Sequence, residues 1–191
     1  MTSHVATMMA GSRFGKLAHP DHYYPTIDDA VTRALIRYYR HILPSVIWEN
    51  ACGDGTMCRT IIEELPATTL LATDIHHYGY GMGGIDFRRV RSVPFNRKWG
   101  VITNPPFKHA EEFVTHAFDL GSSFTALFLK SQFWNAAKRV KLYEKHPPKA
   151  CHPLTWRVDF TGQGSPTMDC QWVVWGDDVP FSNEPFVRPE R

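Results

Sequence analysis

The residues with the clearest chemical potential form the tetrapeptide Asn104-Pro105-Pro106-Phe107. Two prolines fix the backbone and remove two N–H donors, so the groups left are acceptors: the Asn104 side-chain oxygen and the Pro105 carbonyl. Together they can hold both hydrogens of one planar NH₂ group and aim its lone pair at an electrophile. Phe107 can stack on a flat ring. The tetrapeptide predicts a site for a conjugated amine; the alternative is a rigid proline turn that caps a strand.

A glycine turn lies upstream of the tetrapeptide. Gly53 and Gly55 follow the apolar segment 45–49 and precede residues with helical spacing. Such a turn lets backbone N–H groups approach a ligand closely. Asp74 comes 21 residues after Gly53 (74 − 53), the distance at which an acid can accept both hydroxyls of a ribose. The pattern predicts a nucleoside-containing cofactor; the alternative is a turn that only packs a helix on a strand.

The charges around this turn favour one nucleoside cofactor over another. The dinucleotide fingerprint would require a third glycine at Cys58, and Asp54 inside the turn would repel a pyrophosphate. Glu49, just before the turn, favours a cationic ligand group. S-adenosylmethionine carries ribose, adenine, an amino group and a sulfonium but no phosphate, so it fits these acids better than NAD does.

Alternating strands and helices must position these residues. Apolar spacing predicts one helix from a Thr26–Asp29 capping box to before Pro44, and further helices over 56–65, 109–120 and 135–144. Strands are predicted over 45–49, 69–73, 84–87, 100–103 and 124–129, with a closing hairpin of 154–160 and 170–175. The predicted fold class is α/β: a doubly wound, mostly parallel seven-stranded sheet with a C-terminal antiparallel hairpin.

Composition narrows the class of protein. The chain has 191 residues and a net charge of +2, so a nucleic-acid partner would have to meet a local basic patch. We expect a flexible arm over 1–22, one domain over 23–176 and a tail over 177–191. No apolar run approaches the roughly 20 residues of a membrane span, and the N-terminus has no apolar signal region, so a cytoplasmic protein is expected. The cysteine and histidine spacings match no zinc pattern, and no metal is expected.

The order of these motifs resembles a known family. The chain resembles class I S-adenosylmethionine-dependent methyltransferases with an N-P-P-[FYW] motif, and most of all the small phage- and prophage-type DNA adenine methyltransferases. The matching segments are Tyr24-Pro25-Thr26, Trp48 to Gly55, Ala72 to Ile75, Gly84 to Phe87, and Ile102 to Phe107. The chain departs from the family at Asn50, where a proline is common, and in having only two glycines in the turn.

The resemblance implies a role for each motif. Cofactor binding falls to Tyr24, Pro25, Thr26, Glu49, Ala51, Gly53, Gly55, Asp74, Ile75, Asp86, Phe87 and Asn104. Within that set, Glu49 would face the methionine amino group and Asp74 the ribose. Ile75 and Phe87 would enclose the cofactor adenine, and Asp86 would accept from its amino group. The target base would be held by Asn104, Pro105, Pro106 and Phe107.

Two basic stretches suggest contacts to nucleic acid. Arg88, Arg89 and Arg91 begin the first stretch, which continues to Arg97 and Lys98; the second contains Lys138 and Arg139 and extends through Lys141 and Lys145 to Lys149. Both are predicted to flank the edge where the strands end, where phosphate contacts would supply non-specific affinity. Lys108 and Trp134 are further candidates. The alternatives are solvated surfaces for the basic stretches and core packing for Phe133 and Trp134.

The resemblance implies methylation of the exocyclic amino group of adenine in DNA. Neither the segment after Phe87 nor the tail could hold a target-recognition domain, so a short or relaxed target is expected. The same tetrapeptide also serves an amino-methyltransferase that acts on RNA, on cytosine in DNA or on a protein glutamine. A cofactor-binding subunit completed by a partner is a further alternative, and a homodimer is left open.

Overall fold

Six strands form one mixed sheet in the computed structural model, which describes residues 28–160, 166 and 168–190. They are β1 (Val46–Glu49), β2 (Thr69–Ala72), β3 (Gly100–Thr103), β4 (Phe124–Lys130), β5 (Ala150–Pro153) and β6 (Cys170–Trp175). The order across the sheet is β2-β1-β3-β4-β6-β5. The first four strands in this order are parallel, and β6 is antiparallel to both of its neighbours. The predicted α/β class with a C-terminal antiparallel pair is confirmed.

Among the described residues, four α-helices and four short 3₁₀ segments accompany the strands. The α-helices are α1 (Asp29–Tyr39), α2 (Thr56–Glu64), α3 (Ala110–Asp119) and α4 (Val140–Lys145). The 3₁₀ segments are Phe87–Arg89, Phe107–His109, Ser131–Asn135 and Ala137–Arg139. None of the helices among the described residues has the length and apolar character needed to cross a membrane.

The two faces of the sheet bury separate apolar clusters. Alternation along β1 sends Ile47 toward α1 and α2 and Trp48 toward α3, where Phe113 packs. The chain leaves β1 toward β2 and then returns across β1 to form β3. This reversal opens a crevice at the carboxyl ends of β1 and β3, the place where doubly wound sheets bind ligands.

Helix α1 begins later than the sequence predicts. Its N-cap is Asp28, whose side chain accepts from the Ala30 N–H at 3.2 Å. The expected capping box placed the cap at Thr26, which lies outside the described residues; Asp29 is instead the first helical residue. The acidic residue supplies the cap because its short side chain reaches the free N–H groups of the first turn.

The predicted strand over 84–87 is wrong, and this reduces the seven expected strands to six. Gly81 and Gly84 have φ of 61° and 79°, in the left-handed region that interrupts a strand. The Asp86 side chain then accepts from the Arg88 N–H at 3.1 Å and starts a 3₁₀ turn. A single bridge between Thr73 and Met82 extends β2 at this edge.

Two predicted elements after β4 also differ. The helix predicted over 135–144 is divided because Ala136 is extended, with φ −101° and ψ 123°. The first strand of the closing hairpin lies over Ala150–Pro153 rather than over 154–160. Beyond Pro153 the chain pairs with the C-terminal segment instead, through a bridge between Leu154 and Phe186. The predicted tail thus packs along the outer edge of β5.

Candidate active site

A cleft lies at the carboxyl edge of the parallel strands. With the open solvent at its mouth it encloses about 880 Å³. Its walls come from the glycine turn after β1, the loop after β2 and the tetrapeptide after β3. The predicted site residues that line it are Glu49, Ala51, Gly53, Asp74, Ile75, Asp86, Phe87, Arg88, Asn104, Pro105, Pro106 and Lys108.

Glu49 is a buried acid at the end of β1, with 1% of its surface exposed. Its carboxylate accepts from the Thr103 hydroxyl of β3 and from the Ala51 N–H. Burial nevertheless raises the pKa of Glu49 to about 8, because the charged form loses its hydration. A cationic ligand group beside Glu49 would favour the ionised carboxylate.

Asp74 is held in place by the glycine turn. The Gly53 N–H donates to one of its carboxylate oxygens at 2.9 Å, and the His76 N–H donates to the other at 3.0 Å. Gly53 has φ 52°, a conformation that glycine adopts without strain. Each carboxylate oxygen keeps a lone pair for a further donor such as a ribose hydroxyl.

Gly55 has a different role from the one predicted. It does not line the cleft; a Cβ at this position would lie 2.2 Å from the Tyr80 ring. Only glycine leaves room for that ring, and Gly55 also has φ 83°. Gly55 thus packs against the loop after β2 through Tyr80. The Arg59 guanidinium lies 5.7 Å from the centroid of the same ring.

Asp86 is engaged by the arginine that follows it. Arg88 donates from Nε and Nη2 to the two Asp86 oxygens, each at 2.9 Å, and also pairs with Glu112 at 3.1 Å. The hydrogen bonds from Arg88 hold the pKa of Asp86 below its usual range. His109 contacts the same guanidinium at 2.8 Å. Arg88 therefore belongs to an ion-pair network at the rim of the cleft.

Ile75 and Phe87 both line the cleft, as the proposed adenine clamp requires. Phe87 is 1% exposed and packs edge-on against Trp48 at 5.2 Å. Ile75 is 42% exposed and leaves one side of the cleft open.

Three residues of the tetrapeptide form another wall of the cleft. Asn104, Pro105 and Pro106 line the cleft, while Phe107 begins a 3₁₀ segment and packs toward the α1 and α2 side of the sheet. The Lys130 Nζ, at the carboxyl end of β4, lies 4.8 Å from the Phe107 ring centroid. Phe107 is the member of the tetrapeptide that does not line this cleft.

The basic stretches divide between two edges of the sheet. Arg89, Arg91, Lys108 and Lys138 are exposed, and Lys108 lines the cleft. The prediction that the whole first stretch flanks the carboxyl edge is wrong. Arg97 and Lys98 precede β3, so they lie at its amino end, in a second cleft with Ser123 and Asp178.

Two further candidates for nucleic-acid contacts are packed against the protein. The Arg139 guanidinium lies 3.9 Å from the Phe133 ring centroid and donates to the Phe133 carbonyl. The Trp134 ring packs edge-on against Tyr143 at 5.4 Å and against Trp175 at 6.3 Å. Phe133 is 4% exposed, so core packing accounts for this aromatic pair. Tyr24, Pro25 and Thr26 lie outside the described residues.

Several cleft residues were not predicted from the sequence. Asn50, Tyr78, Ile85 and His109 line the cleft, and Thr103 orients Glu49. Asn50 and Thr103 directly adjoin predicted site residues at strand ends, and that adjacency is the signal that could have found them. Among the described residues, no group of three or more acidic, histidine or cysteine side chains could hold a metal ion.

The sheet, with its crevice at the carboxyl ends of β1 and β3, has a Rossmann-like α/β fold. No protein-family model and no curated protein matches the chain. Several solved structures do match the chain. A type I restriction enzyme modification subunit from Vibrio vulnificus, provisionally so described, has TM-score 0.60 and 12% identity over 88% of this chain and 50% of its own. This chain therefore spans about half the length of that protein.

Two smaller proteins share the fold. A Pyrococcus horikoshii protein provisionally described as an RNA methyltransferase has TM-score 0.56 and 16% identity, over 82% of this chain and 87% of its own. A Listeria monocytogenes protein provisionally described as a class I S-adenosylmethionine-dependent methyltransferase has TM-score 0.55 and 14% identity, over 96% and 69%. At these identities the likeness establishes the fold alone.

Proposed function

We propose that this chain methylates the exocyclic amino group of adenine in DNA, with S-adenosylmethionine as methyl donor and a short or relaxed target. One observation carries the proposal. Asn104, Pro105 and Pro106 of the predicted amine-binding tetrapeptide form one wall of the same cleft whose other walls present Glu49 and Asp74. An acceptor pair for an NH₂ group thus faces acids suited to a cationic nucleoside.

The residues of the cleft fit this methyl donor. Glu49 is a buried acid whose ionised form a sulfonium or ammonium would stabilise. Asp74 presents carboxylate oxygens oriented by Gly53 and His76. The donor, when bound, supplies a methyl carbon attached to a positively charged sulfur, which is a good leaving group.

The tetrapeptide performs the positioning. The Asn104 side-chain oxygen and the Pro105 carbonyl accept the two N–H groups of the target amine and direct its lone pair at the methyl carbon. A nitrogen–carbon bond forms as the carbon–sulfur bond breaks, and the nitrogen then releases one proton to solvent. Acceptors fixed before the reaction stabilise the positive charge that develops on nitrogen. In a duplex this nitrogen is unreachable, so the base must be flipped out.

Cations at the rim of the cleft supply the contacts to the DNA backbone. Lys108 lines the cleft, and Arg89 is 87% exposed three residues after Asp86. Phosphate contacts of this kind give affinity without reading sequence. Replacing Arg89 and Lys108 with glutamine should weaken DNA binding and reduce its salt dependence. Arg97 and Lys98 provide the matched control, because they lie at the opposite edge of the sheet.

A second candidate is the same chemistry in a unit that a partner subunit completes. It is favoured by the likeness to a modification subunit of which this chain spans half. The likeness to an RNA methyltransferase supports RNA as the alternative substrate, and the tetrapeptide also serves cytosine or a protein glutamine.

One experiment separates these functions. The protein is incubated with tritiated S-adenosylmethionine and with duplex DNA, single-stranded DNA, ribosomal RNA or protein extract, and the labelled product is digested and identified. N6-methyladenine from DNA is the expected product, and the Asn104→Ala variant should form it more slowly by about 10²-fold or more. Label in RNA, cytosine or glutamine would show that this molecule, and not adenine in DNA, is the substrate. Label that appears only after a host extract is added would favour the partner-dependent unit.

A further inference from the structure

Asn50 has an unusual place in the wall of the cleft. The residue is 2% exposed and lines the cleft between Glu49 and Ala51. Within the described part of the chain, neither its Nδ2 nor its Oδ1 has a hydrogen-bond partner. Leaving a buried amide unpaired opposes folding, and native proteins rarely do so without a reason.

Two nearby acids of the cleft have hydrogen-bond partners. Glu49 accepts from Thr103 and Ala51, and Asp86 accepts twice from the Arg88 side chain. Asp86, the residue expected to contact the cofactor purine, is thus already occupied by an arginine. Among the described residues, Asn50 keeps both a donor and an acceptor without a partner, and it stands where the resembled family commonly has proline.

The position of Asn50 relates it to the purine end of the cleft. Asn50 directly follows β1 and lines the same cleft as Phe87. The Phe87 ring packs against Trp48 of β1 at 5.2 Å. The terminal torsion of asparagine has a broad energy minimum, so a small rotation can turn the carboxamide toward a ligand.

We propose that the Asn50 carboxamide binds the edge of the purine ring of the methyl donor, an inference that rests on the proposed function. The edge of adenine presents a donor beside an acceptor, which an asparagine side chain matches with two hydrogen bonds. This pairing satisfies both of the Asn50 atoms that the unliganded protein leaves without a partner. Asn50 is then a binding residue kept at the expense of stability.

The test is Asn50→Leu, which keeps the size of the side chain and removes both polar atoms. S-adenosylmethionine should bind at least 10-fold more weakly by calorimetry, while the melting temperature of the unliganded variant stays level or rises by about 2–4 °C. Thr32→Val is the matched control. The Thr32 hydroxyl is also buried without a partner among the described residues, but it lies on α1 and not in the cleft. The control should have a similar melting temperature and unchanged binding.

The outcomes separate this inference from the proposed function. A parental protein that does not bind S-adenosylmethionine overturns the proposed function and the inference with it. Parental binding together with unchanged binding by Asn50→Leu overturns the inference alone. If that variant does not fold, Asn50→Ala carries the same binding test.

A second ligand identifies the group that Asn50 contacts. 5′-Methylthioadenosine has the purine and the ribose but no amino-acid group. The Asn50 variant should lose the same factor in affinity for this ligand as for S-adenosylmethionine. A loss confined to S-adenosylmethionine would place Asn50 at the amino-acid end and overturn the purine assignment.

Discussion

A buried carboxylate has opposite pKa shifts in the contact between α1 and α2 and in the cleft at the carboxyl edge. Between the helices, Glu64 accepts from Arg33, from Arg37 at 3.0 Å and from Arg40 at 3.2 Å. Hydrogen bonds from Arg37 and Arg33 hold the pKa of Glu64 below its usual range, although burial opposes this. In the cleft, burial instead raises the pKa of Glu49. The contact between the helices supplies the cations that keep Glu64 ionised. In the cleft, a cationic ligand would do the same for Glu49.

The largest effect should come from breaking the ion pairs between α1 and α2. Glu64→Ala leaves the Arg33 guanidinium, 8% exposed, without its most buried partner. Removing one member of a buried pair destabilises a protein by about 3–5 kcal/mol, and urea unfolding measures this loss. Glu63→Gln is the control: its side chain is 66% exposed and also pairs with Arg33, so it should lose less than about 1 kcal/mol. Equal losses in both variants would show that burial does not set the strength of these pairs.

In the cleft, the largest effect should fall on turnover and not on stability. Asn104→Ala should reduce methyl transfer by about 10²-fold or more, because one preorganised acceptor for the target amine is lost. Binding of S-adenosylmethionine should stay nearly intact. Single-turnover assays measure the first quantity and calorimetry the second, with the exposed Asn183→Ala as control. Full activity in Asn104→Ala would show that Asn104 has no catalytic role. A large loss of affinity for S-adenosylmethionine would assign Asn104 to the cofactor subsite instead of the target-amine subsite.

Substitutions of Asp74 test the part of the cleft that is proposed to bind S-adenosylmethionine. Asp74→Ala removes the expected acceptors for the ribose and should weaken S-adenosylmethionine binding by about 1–3 kcal/mol. Asp74→Asn keeps one acceptor oxygen and should lose less. The melting temperatures of both variants serve as a check, because Asp74 also accepts from Gly53 and His76. Unchanged affinity in Asp74→Ala would remove this residue from the site.

Local patterns predicted most of this cleft. The glycine turn, Asp74 and the tetrapeptide each follow a strand, and parallel strands bring their carboxyl ends to one edge. Glycines of the loop after β2 were harder to interpret. A strand was predicted over 84–87 in this glycine-rich stretch, but the positive φ angles of Gly81 and Gly84 end the pairing instead. The contact of Gly55 with Tyr80 spans 25 residues of sequence (80 − 55) and has no local signal.

Charges were predicted less well than elements. The sequence shows that Arg88 and Arg97 are close along the chain, but not that one joins a network with Asp86 while the other lies beyond the amino end of β3. The positions of charged residues in the sequence do not show which edge of the sheet they occupy, because a basic loop can be exposed to solvent at either edge. At position 50 the sequence shows only that asparagine stands where the resembled family commonly has proline. That the Asn50 side chain has no hydrogen-bond partner among the described residues is visible only in the folded structure.

The smallest expected effect concerns the pH dependence of binding at Glu49. Burial raises its pKa to about 8 in the unliganded protein, whereas a cationic methyl donor favours the ionised form. Below pH 8, binding must therefore displace a proton, so affinity should rise with pH by up to about 10-fold per unit and level off above the folded pKa. Calorimetry between pH 6 and 9 in buffers of different ionisation enthalpy measures both the affinity and the proton release. Glu49→Gln has no proton to lose and should bind with nearly constant affinity, while the exposed Glu144→Gln should follow the parental curve. A parental affinity that is flat over this range, without proton release, would mean that Glu49 does not face the positive charge of the ligand.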